Sequence, residues 1–245
     1  MMPGLFVIGT DTGVGKTTIA ATIISVMAAE GRGVAALKPV ATGAIMTAEG
    51  WHSEDVEKLR EAIGIPVPTE CLCPLIYEEP LAPCVAARRA GRPLLEPDFN
   101  RAIQKALEWW AERSEVMVIE GIGGFMCPLT ETSTLADMAI KLDYPLVVVA
   151  RNALGTLNHT LLTIEAARSR GLRIAGIVLN SAQAGSGNEG ESSNHWELAA
   201  RLPGVAILAD VPHGGPETLR KYVQSVDWYK IAGRARYLPV APATA

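Results

Sequence analysis

The chemistry of this chain is most visible near its start, where a glycine-rich loop separates an apolar run from a helical pattern. Residues 9–18 read GTDTGVGKTT, and the loop ends in Gly15, Lys16 and Thr17. In loops of this kind, successive backbone N–H groups and the positive end of the next helix bind phosphate oxygens. The lysine reaches the outer phosphates and the threonine hydroxyl binds Mg²⁺. The stretch therefore predicts a site for nucleotide phosphates and a magnesium ion.

The loop departs in one detail from the common pattern G-x-x-x-x-G-K-[ST]. That pattern places its first glycine where this chain has Thr10, so Gly9 comes one residue early. Two alternatives stay open from the motif alone. One is an ordinary strand–helix turn, and the other is a dinucleotide fingerprint, because residues 13–18 nearly read G-x-G-x-x-G. The fingerprint needs an acidic residue at the end of the second strand, where this chain has Lys38.

Two carboxylates are candidates to hold the metal ion. Glu120 ends the apolar run VMVIE and precedes GIGG, and a carboxylate there faces the ligand crevice of an open α/β sheet. Mg²⁺ usually takes one or two carboxylates together with phosphate oxygens. The alternative for Glu120 is an acid that caps the following turn. Asp55 lies in the first turn of a predicted helix, where the helix dipole alone favours an acid.

A second lysine is predicted at the same edge of the sheet. Lys38 ends the second apolar run, in ALKPVATG, and Pro39 stiffens the chain directly after it. Two lysines directed at one site suit a transition state with more negative charge than one phosphoryl group, or a second anionic reactant. The alternative is a lysine that extends from a strand end into water.

The strands and helices that position these residues are predicted to alternate along the chain. Short, wholly apolar, β-branched runs alternate with amphipathic segments, which predicts one α/β fold with a mostly parallel sheet and helices on both faces. The predicted strands are 5–8, 34–37, 116–119, 146–150, 174–179 and 205–208, and 70–77 is irregular with a possible short strand. The predicted helices are 16–29, 55–63, 99–113, 135–142 and 157–170, with Ser53 as an N-cap.

Composition and length limit the class of protein. The chain has 245 residues, 49% of them hydrophobic and 20% charged, and a net charge of −4. We expect no nucleic-acid partner, no membrane span, no secretion signal and a cytoplasmic location. The spacing of the four cysteines suits neither zinc nor a disulfide framework, which predicts buried, unreactive thiols. We expect a single domain at 1–232, a flexible tail at 233–245 and a mobile loop at 181–194.

Several short blocks, in order, resemble dethiobiotin synthetase, a P-loop family. They are GTDTGVGKT (9–17), KPVATG (38–43), SEDV (53–56), EGIGGFMCPL (120–129), LGTLNHT (154–160) and GIVLN (176–180). The loop that is one residue longer than usual is itself a feature of that family. The resemblance implies ATP-dependent carboxylation of 7,8-diaminononanoate (7,8-diaminopelargonate) and its closure to dethiobiotin, with ADP and phosphate as products. A carbamate and then a carbamic–phosphoric anhydride are the implied intermediates.

The resemblance also implies a role for individual residues, in a homodimer whose active site lies at the interface. Lys16 and Lys38 would be catalytic, and Thr17, Asp55 and Glu120 would bind Mg²⁺. The diamine would contact Thr12, Lys38 and Thr42, and its carboxylate would meet a helix start of the partner subunit, formed by Gly155, Thr156, Leu157 and Asn158. ATP would contact Gly13, Val14, Gly15, Lys16, Thr17, Thr18, Asp55, Glu120, Gly121, Gly123, Asn180, Pro212, His213, Gly214 and Glu217.

Some features do not follow from the resemblance, and two rival functions share its motifs. Gly13 stands where some relatives have an acid, and His159, near a helix start, is typical of a hydrogen-bonded structural residue.

One rival is a partition or membrane-positioning switch ATPase, which needs an additional lysine where this chain has GTDT. The other is the ATP-using part of a cobyrinate-type amidotransferase, which needs a glutaminase domain for which 245 residues leave no room.

Overall fold

A computed structural model describes residues 2–181 and 189–233, without the side chains of residues 189–192. Within these residues, no helix combines the length and the apolar content that crossing a bilayer would require. The predicted tail lies outside this part of the chain, except for Gly233, which ends a helix.

Ten strands form within the described residues, and six of them make one parallel sheet in the order β10-β9-β8-β1-β7-β2. A parallel pair joins β3 to β6, and an antiparallel pair joins β4 to β5. The strands are β1 Gly4–Gly9, β2 Val34–Leu37, β3 Val40–Thr42, β4 Ile45–Thr47, β5 Gly50–His52, β6 Leu75–Tyr77, β7 Val116–Glu120, β8 Leu146–Arg151, β9 Ile174–Asn180 and β10 Ile207–Val211.

Helices connect the parallel strands, as the alternating pattern predicts. The connections from β1 to β2 and from β8 to β9 run in opposite directions along the sheet, so right-handed crossovers put their helices on opposite faces. The helices are α1 Lys16–Ala29, α2 Glu54–Ile63, α3 Thr69–Leu72, α4 Pro83–Arg89, α5 Glu96–Ala111, α6 Leu135–Leu142, α7 Thr156–Arg168, α8 Glu189–Arg201, α9 Pro216–Val223 and α10 Trp228–Gly233.

Three neighbouring strands of the sheet are buried along their whole length, which confirms the prediction of a parallel sheet covered on both faces. All residues of β1, β2 and β7 are buried. Strand β1 lies between β8 and β7, so the loop after it emerges at the centre of the carboxyl edge of the sheet. The connections of β1 and β8 leave in opposite directions, and a crevice forms where connections diverge in this way.

Several predicted boundaries were wrong. Strand β10 begins at Ile207 and not at Val205, because Gly204 turns the chain with φ 81° and the strand contains Asp210, which interrupts the apolar run. Ser53 is the N-cap of α2, as predicted, although its side chain makes no capping hydrogen bond. Helix α8 begins at Glu189, so the predicted loop is wrong for residues 189–194, and 182–188 lie outside the described residues.

The cysteine prediction is confirmed for three of the four thiols. Cys71, Cys73 and Cys84 are buried, and all four cysteines are free. Burial raises the pKa of Cys73 to about 12, which makes its thiol a poor nucleophile at neutral pH. Cys127 is partly exposed, although burial also raises its pKa.

Two adjacent tryptophans at the end of α5 allow a test of how this helix packs against the rest of the protein. Trp110 is fully buried and donates its indole N–H to the Cys71 carbonyl at 3.0 Å, whereas Trp109 is partly exposed. Trp110→Ala should lower the free energy of unfolding by about 3–5 kcal/mol, because it leaves a cavity and an unpaired carbonyl. Trp109→Ala is the matched control, with a loss of about 1 kcal/mol. Equal losses in urea unfolding would contradict this account.

Candidate active site

The phosphate loop joins β1 to α1 in a conformation that its glycines permit. Gly13 and Gly15 have φ values of 70° and 93°, which side chains with a Cβ rarely adopt. Thr10 donates its backbone N–H to the Val149 carbonyl at 3.0 Å, which ties the loop to β8. Helix α1 then begins at Lys16, so its N-terminal N–H groups face the end of the loop.

The structure gives a physical reason for the early glycine. The Lys16 side chain folds back over the loop, and its Nζ donates to the Asp11 carbonyl at 2.8 Å. A Cβ on Gly9 would lie 2.8 Å from Lys16 Nζ and 2.9 Å from the Asp11 carbonyl oxygen. A glycine at position 9 is therefore required by the path of the lysine.

Four side chains from three elements and a strand end converge beside this loop. Lys38 Nζ lies 2.7 Å from Glu120 Oε1 and 2.8 Å from Asp55 Oδ2. Thr17 Oγ1 lies 2.6 Å from Glu120 Oε1 and 2.8 Å from Asp55 Oδ1. Lys38 and Glu120 are 2% and 1% exposed. The structure thus brings together the predicted second lysine and all three predicted metal ligands.

The charges of this cluster depend on each other. Burial opposes the charged form of Lys38, but Glu120 and Asp55 outweigh it and hold its pKa above the ordinary value. Burial, with Asp55 in support, raises the pKa of Glu120. Burial opposes ionisation of Asp55, but Lys38 and Thr17 keep its pKa low. Burial lowers the pKa of Lys16 to about 8, so an anionic phosphate beside it would stabilise its charged form.

The oxygens of the cluster fit a magnesium ion. Glu120 Oε2 is buried and makes no hydrogen bond within the described residues. The single Thr17 hydroxyl proton can serve only one of the two carboxylate contacts that Thr17 makes. A buried carboxylate oxygen without a partner is costly, and a cation would relieve that cost. Among the described residues, no group of three or more His, Cys, Asp or Glu side chains is placed to hold a metal ion. Mg²⁺ usually takes only one or two carboxylates, together with phosphate oxygens and water.

A cleft of about 810 Å³ opens above this cluster, and eleven of the residues predicted from the sequence line it. The loop after β7 forms one wall, and a Cβ on its Gly124 would lie 3.4 Å from the Thr10 carbonyl oxygen. The predicted residues along the cleft are Thr12, Gly13, Gly15, Lys16, Thr17, Thr18, Lys38, Thr42, Asp55, Glu120 and Gly123.

Sequence reasoning missed part of this cleft. Lys58 lines it one turn after Asp55 on α2, and its charge helps to lower the pKa of that carboxyl. The spacing of three residues on one helix was a usable signal for it. Ile122, Gly124 and Cys127 also line it, and they lie within the block EGIGGFMCPL, which was the signal for them. The other missed lining residues have no motif of their own; they are Pro80, Leu81, Ala82 and Pro83.

The other predicted site residues lie outside the cleft. Val14 is buried in the loop, and Gly121 packs against Leu135, whose Cδ2 lies 2.7 Å from the position of a Cβ on that glycine. Asn180 ends β9 and donates its Nδ2 to the Val14 carbonyl at 2.9 Å. The remaining residues follow β10 at the same sheet edge or begin α7; they are Pro212, His213, Gly214 and Glu217, and Gly155, Thr156, Leu157 and Asn158.

One expectation near α7 is not met. The His159 side chain is exposed and makes no hydrogen bond within the described residues, although its backbone carbonyl accepts the Thr163 hydroxyl at 2.8 Å. The expected structural hydrogen bond of the imidazole is therefore absent from this part of the chain.

The fold and the cleft define a P-loop α/β nucleotide-binding protein. A family profile described as an AAA domain matches residues 3–216. An ATP-dependent dethiobiotin synthetase of Anaeromyxobacter dehalogenans (strain 2CP-C) is 46% identical over 179 residues, 73% of this chain and 77% of that protein. One of Ralstonia nicotianae is 41% identical over 206 residues, 83% of this chain and 88% of that protein. The chain belongs to the dethiobiotin synthetase family.

Solved structures of proteins from both rival classes share the fold of this chain. Cobyrinic acid a,c-diamide synthase of Mycobacterium smegmatis has a TM-score of 0.52 at 15% identity, covering 96% of this chain and 98% of that one. The septum site-determining protein MinD of Pyrococcus horikoshii has a TM-score of 0.52 at 16% identity, covering 95% of each chain. At these identities the likeness shows the fold alone.

The account of the early glycine predicts a defect in nucleotide binding. In Gly9→Ala the new methyl group would displace the Lys16 ammonium or the Asp11 carbonyl, so ATP should bind about tenfold more weakly. Gly33→Ala is the control, because its Cβ would meet neighbours at 3.5 Å, an ordinary contact. Calorimetric titration with MgATP measures both variants. Unchanged affinity in Gly9→Ala would contradict the proposed requirement for glycine.

The buried cluster predicts strong coupling between Lys38 and Glu120 in the free protein. Lys38→Met leaves a buried carboxylate without its cation, and Glu120→Gln removes that charge. A double-mutant cycle in urea should therefore give a coupling energy of about 3 kcal/mol. The exposed pair Arg32–Glu115, at 3.9 Å, is the control and should give about 0–1 kcal/mol. Equal coupling in the two cycles would contradict the account of the buried cluster.

Proposed function

We propose that the protein converts 7,8-diaminononanoate, CO₂ and ATP to dethiobiotin, ADP and phosphate, a step of biotin biosynthesis. The observation that carries this proposal is the position of Lys38, buried between two carboxylates and directly beside the phosphate loop. The family of the curated relatives supports it, because their names state an ATP-dependent dethiobiotin synthetase.

The reaction divides into three steps that the cleft residues suit. One amine of the substrate attacks CO₂ and loses a proton, giving a carbamate. A carbamate oxygen attacks the γ-phosphorus and ADP leaves, which gives a carbamic–phosphoric anhydride. The second amine then attacks the carbonyl carbon and loses a proton, phosphate leaves, and the cyclic urea is formed. Phosphorylation thus turns a poor leaving oxygen into a good leaving group.

The two lysines have separate tasks in this scheme. Lys16 and the free N–H groups of the loop bind the phosphates. Lys38 has three N–H donors, of which two serve Asp55 and Glu120. The third remains for a carbamate oxygen or the transferring phosphoryl group. Such transfers depend mainly on positioning and charge stabilisation, which fixed ammonium groups supply.

The remaining roles are proposed from the resemblance together with the position of each residue. Thr42 would donate a hydrogen bond from its hydroxyl to the substrate or carbamate, Thr12 would contact the diamine, and both line the cleft. Thr17, Asp55 and Glu120 would hold Mg²⁺, which when bound neutralises the charge on the phosphates. Asn180 would contact the nucleobase, with the residues after β10, which are Pro212, His213, Gly214 and Glu217.

The proposed functional unit is a homodimer. The start of α7, from Gly155 to Asn158, does not line the cleft of its own chain, so in this proposal it would serve the cleft of a second copy. The exposed Leu154 beside it supports a contact there, since it is fully exposed in the single chain. We also propose one domain over residues 1–232 and a cytoplasmic location, which suits an enzyme that consumes ATP.

The proposed reaction predicts a strict requirement for both co-substrates. The purified protein should release ADP from MgATP only when 7,8-diaminononanoate and bicarbonate are both present, because phosphoryl transfer needs the carbamate as its acceptor. A coupled ADP assay with each component omitted in turn measures this, and mass spectrometry identifies dethiobiotin.

Lysine variants test whether the turnover in this assay depends on the two proposed catalytic lysines. Lys16→Ala and Lys38→Ala should abolish turnover, whereas Lys105→Ala, an exposed lysine on α5, should leave it unchanged. Rapid ATP hydrolysis without the diamine would instead support a switch ATPase. Near-normal turnover in Lys38→Ala would contradict the role proposed for that lysine.

A further inference from the structure

Two side chains from neighbouring strand ends hold the phosphate loop from its outer side. Arg151, at the end of β8, donates its Nη2 to the Gly13 carbonyl at 3.4 Å. Asn180, at the end of β9, donates its Nδ2 to the Val14 carbonyl at 2.9 Å. Arg151 and Asn180 are partners in the β8–β9 register, so the sheet itself sets them side by side. They therefore bind two consecutive carbonyls of the loop.

Holding these carbonyls determines where the loop directs its N–H groups. In a trans peptide the C=O of one residue and the N–H of the next point in opposite directions. The described residues contain no cis peptide bond. Fixing the carbonyls of Gly13 and Val14 therefore directs the N–H groups of Val14 and Gly15 to the opposite side of the loop.

These N–H groups have no backbone partner among the described residues. Within the described residues, no backbone carbonyl accepts from the N–H of Gly13, Val14 or Gly15. Gly13 and Gly15 line the cleft. Unpaired donors in a row form a concave site for anions.

The contact between Asn180 and the loop is built into the packing. Asn180 is 5% exposed, and its Nδ2 lies 2.1 Å from the position that a Cβ on Gly15 would occupy. Gly15 thus provides the φ of 93° that the loop needs and also the space that Asn180 fills. An amide held this closely orients the loop before any ligand arrives.

We propose that Arg151 and Asn180 are positioning residues that preorganise the phosphate loop by holding the Gly13 and Val14 carbonyls outward. For Asn180 this role is additional to the proposed contact with the nucleobase. The two roles are separable, because the preorganised N–H groups act on phosphates whether or not a base is attached. The inference therefore holds for any ligand that carries a polyphosphate, and it does not depend on the proposed reaction.

The test uses magnesium tripolyphosphate, which has phosphates and no base, in calorimetric titrations of the full-length protein. Loss of one hydrogen bond of about 1 kcal/mol should weaken its binding about fivefold in Asn180→Ala. Arg151→Met should weaken it about two- to threefold, because the bond is longer and exposed. Asn180→Ser, which cannot reach Val14, should repeat the loss seen in Asn180→Ala if that variant proves unstable.

Matched variants separate positioning from general damage. Arg170→Met removes an exposed arginine that donates to the Ala166 carbonyl at 2.9 Å, and Asn194→Ala removes a buried amide that donates to Asn152 at 2.9 Å. Both should bind tripolyphosphate normally, whatever their effect on urea unfolding. An equal loss of affinity in these controls would overturn the proposal.

Two other outcomes would also overturn it. If Asn180→Ala weakens ATP but not tripolyphosphate, the residue reads the base only. If Arg151→Lys binds tripolyphosphate normally, and if the affinity of Arg151→Met for it depends less on salt concentration, the charge of Arg151 acts on the phosphates directly. Normal tripolyphosphate binding without diamine-dependent turnover would instead contradict the proposed reaction and leave this inference intact.

Discussion

The rest of the site depends on one buried interaction, the contact of the Lys38 ammonium with the carboxylates of Glu120 and Asp55. Removing such charges from water costs several kcal/mol per ion, and hydrophobic side chains of similar size would often be as stable. Stability alone is therefore a weak reason for the cluster. It does place one lysine, two carboxylates and a hydroxyl around one point beside the loop that carries Lys16, where an anionic ligand and a cation can replace part of the internal pairing.

The parallel sheet is what makes this arrangement geometrically possible. Lys38 directly follows β2, Glu120 ends β7, and the phosphate loop follows β1. These are three adjacent strands whose carboxyl ends lie at one edge. Asp55 reaches the same point from the first turn of α2. Arg151 and Asn180 then reach the loop from the other side, at the ends of β8 and β9. The loop is thus held between the two halves of the sheet.

The fold alone does not decide among the functions that share it. MinD and cobyrinic acid a,c-diamide synthase have comparable folds at 15–16% identity, so the sheet and loop are common to different activities. Discrimination comes from the residues at the sheet edge and from sequence identity with the curated relatives. In this chain the second buried lysine gives the edge two ammonium groups next to the buried carboxylates, which suits two anionic reactants.

The predictions from sequence are wrong or incomplete where the local pattern and the tertiary contacts disagree. The pairs β3–β6 and β4–β5 have strands of three residues, too short for a periodic signal to emerge. Asp210 interrupts the apolar run of β10, yet it is accommodated because its carboxylate meets His195 and Asn152. Helix α8 begins in a stretch of glycine, serine and asparagine, whose composition is typical of a loop.

Local sequence patterns are enough to predict the alternation of strands and helices, the phosphate loop and the residues that end its neighbouring strands. These features depend on local spacing, and the parallel arrangement brings strand ends to one edge without further information. Only the folded chain shows that Lys16 folds over Gly9, that Glu120 Oε2 has no hydrogen-bond partner among the described residues, and that Asn180 and Arg151 hold the loop. Those facts depend on distances between residues far apart in the chain, which no local pattern encodes.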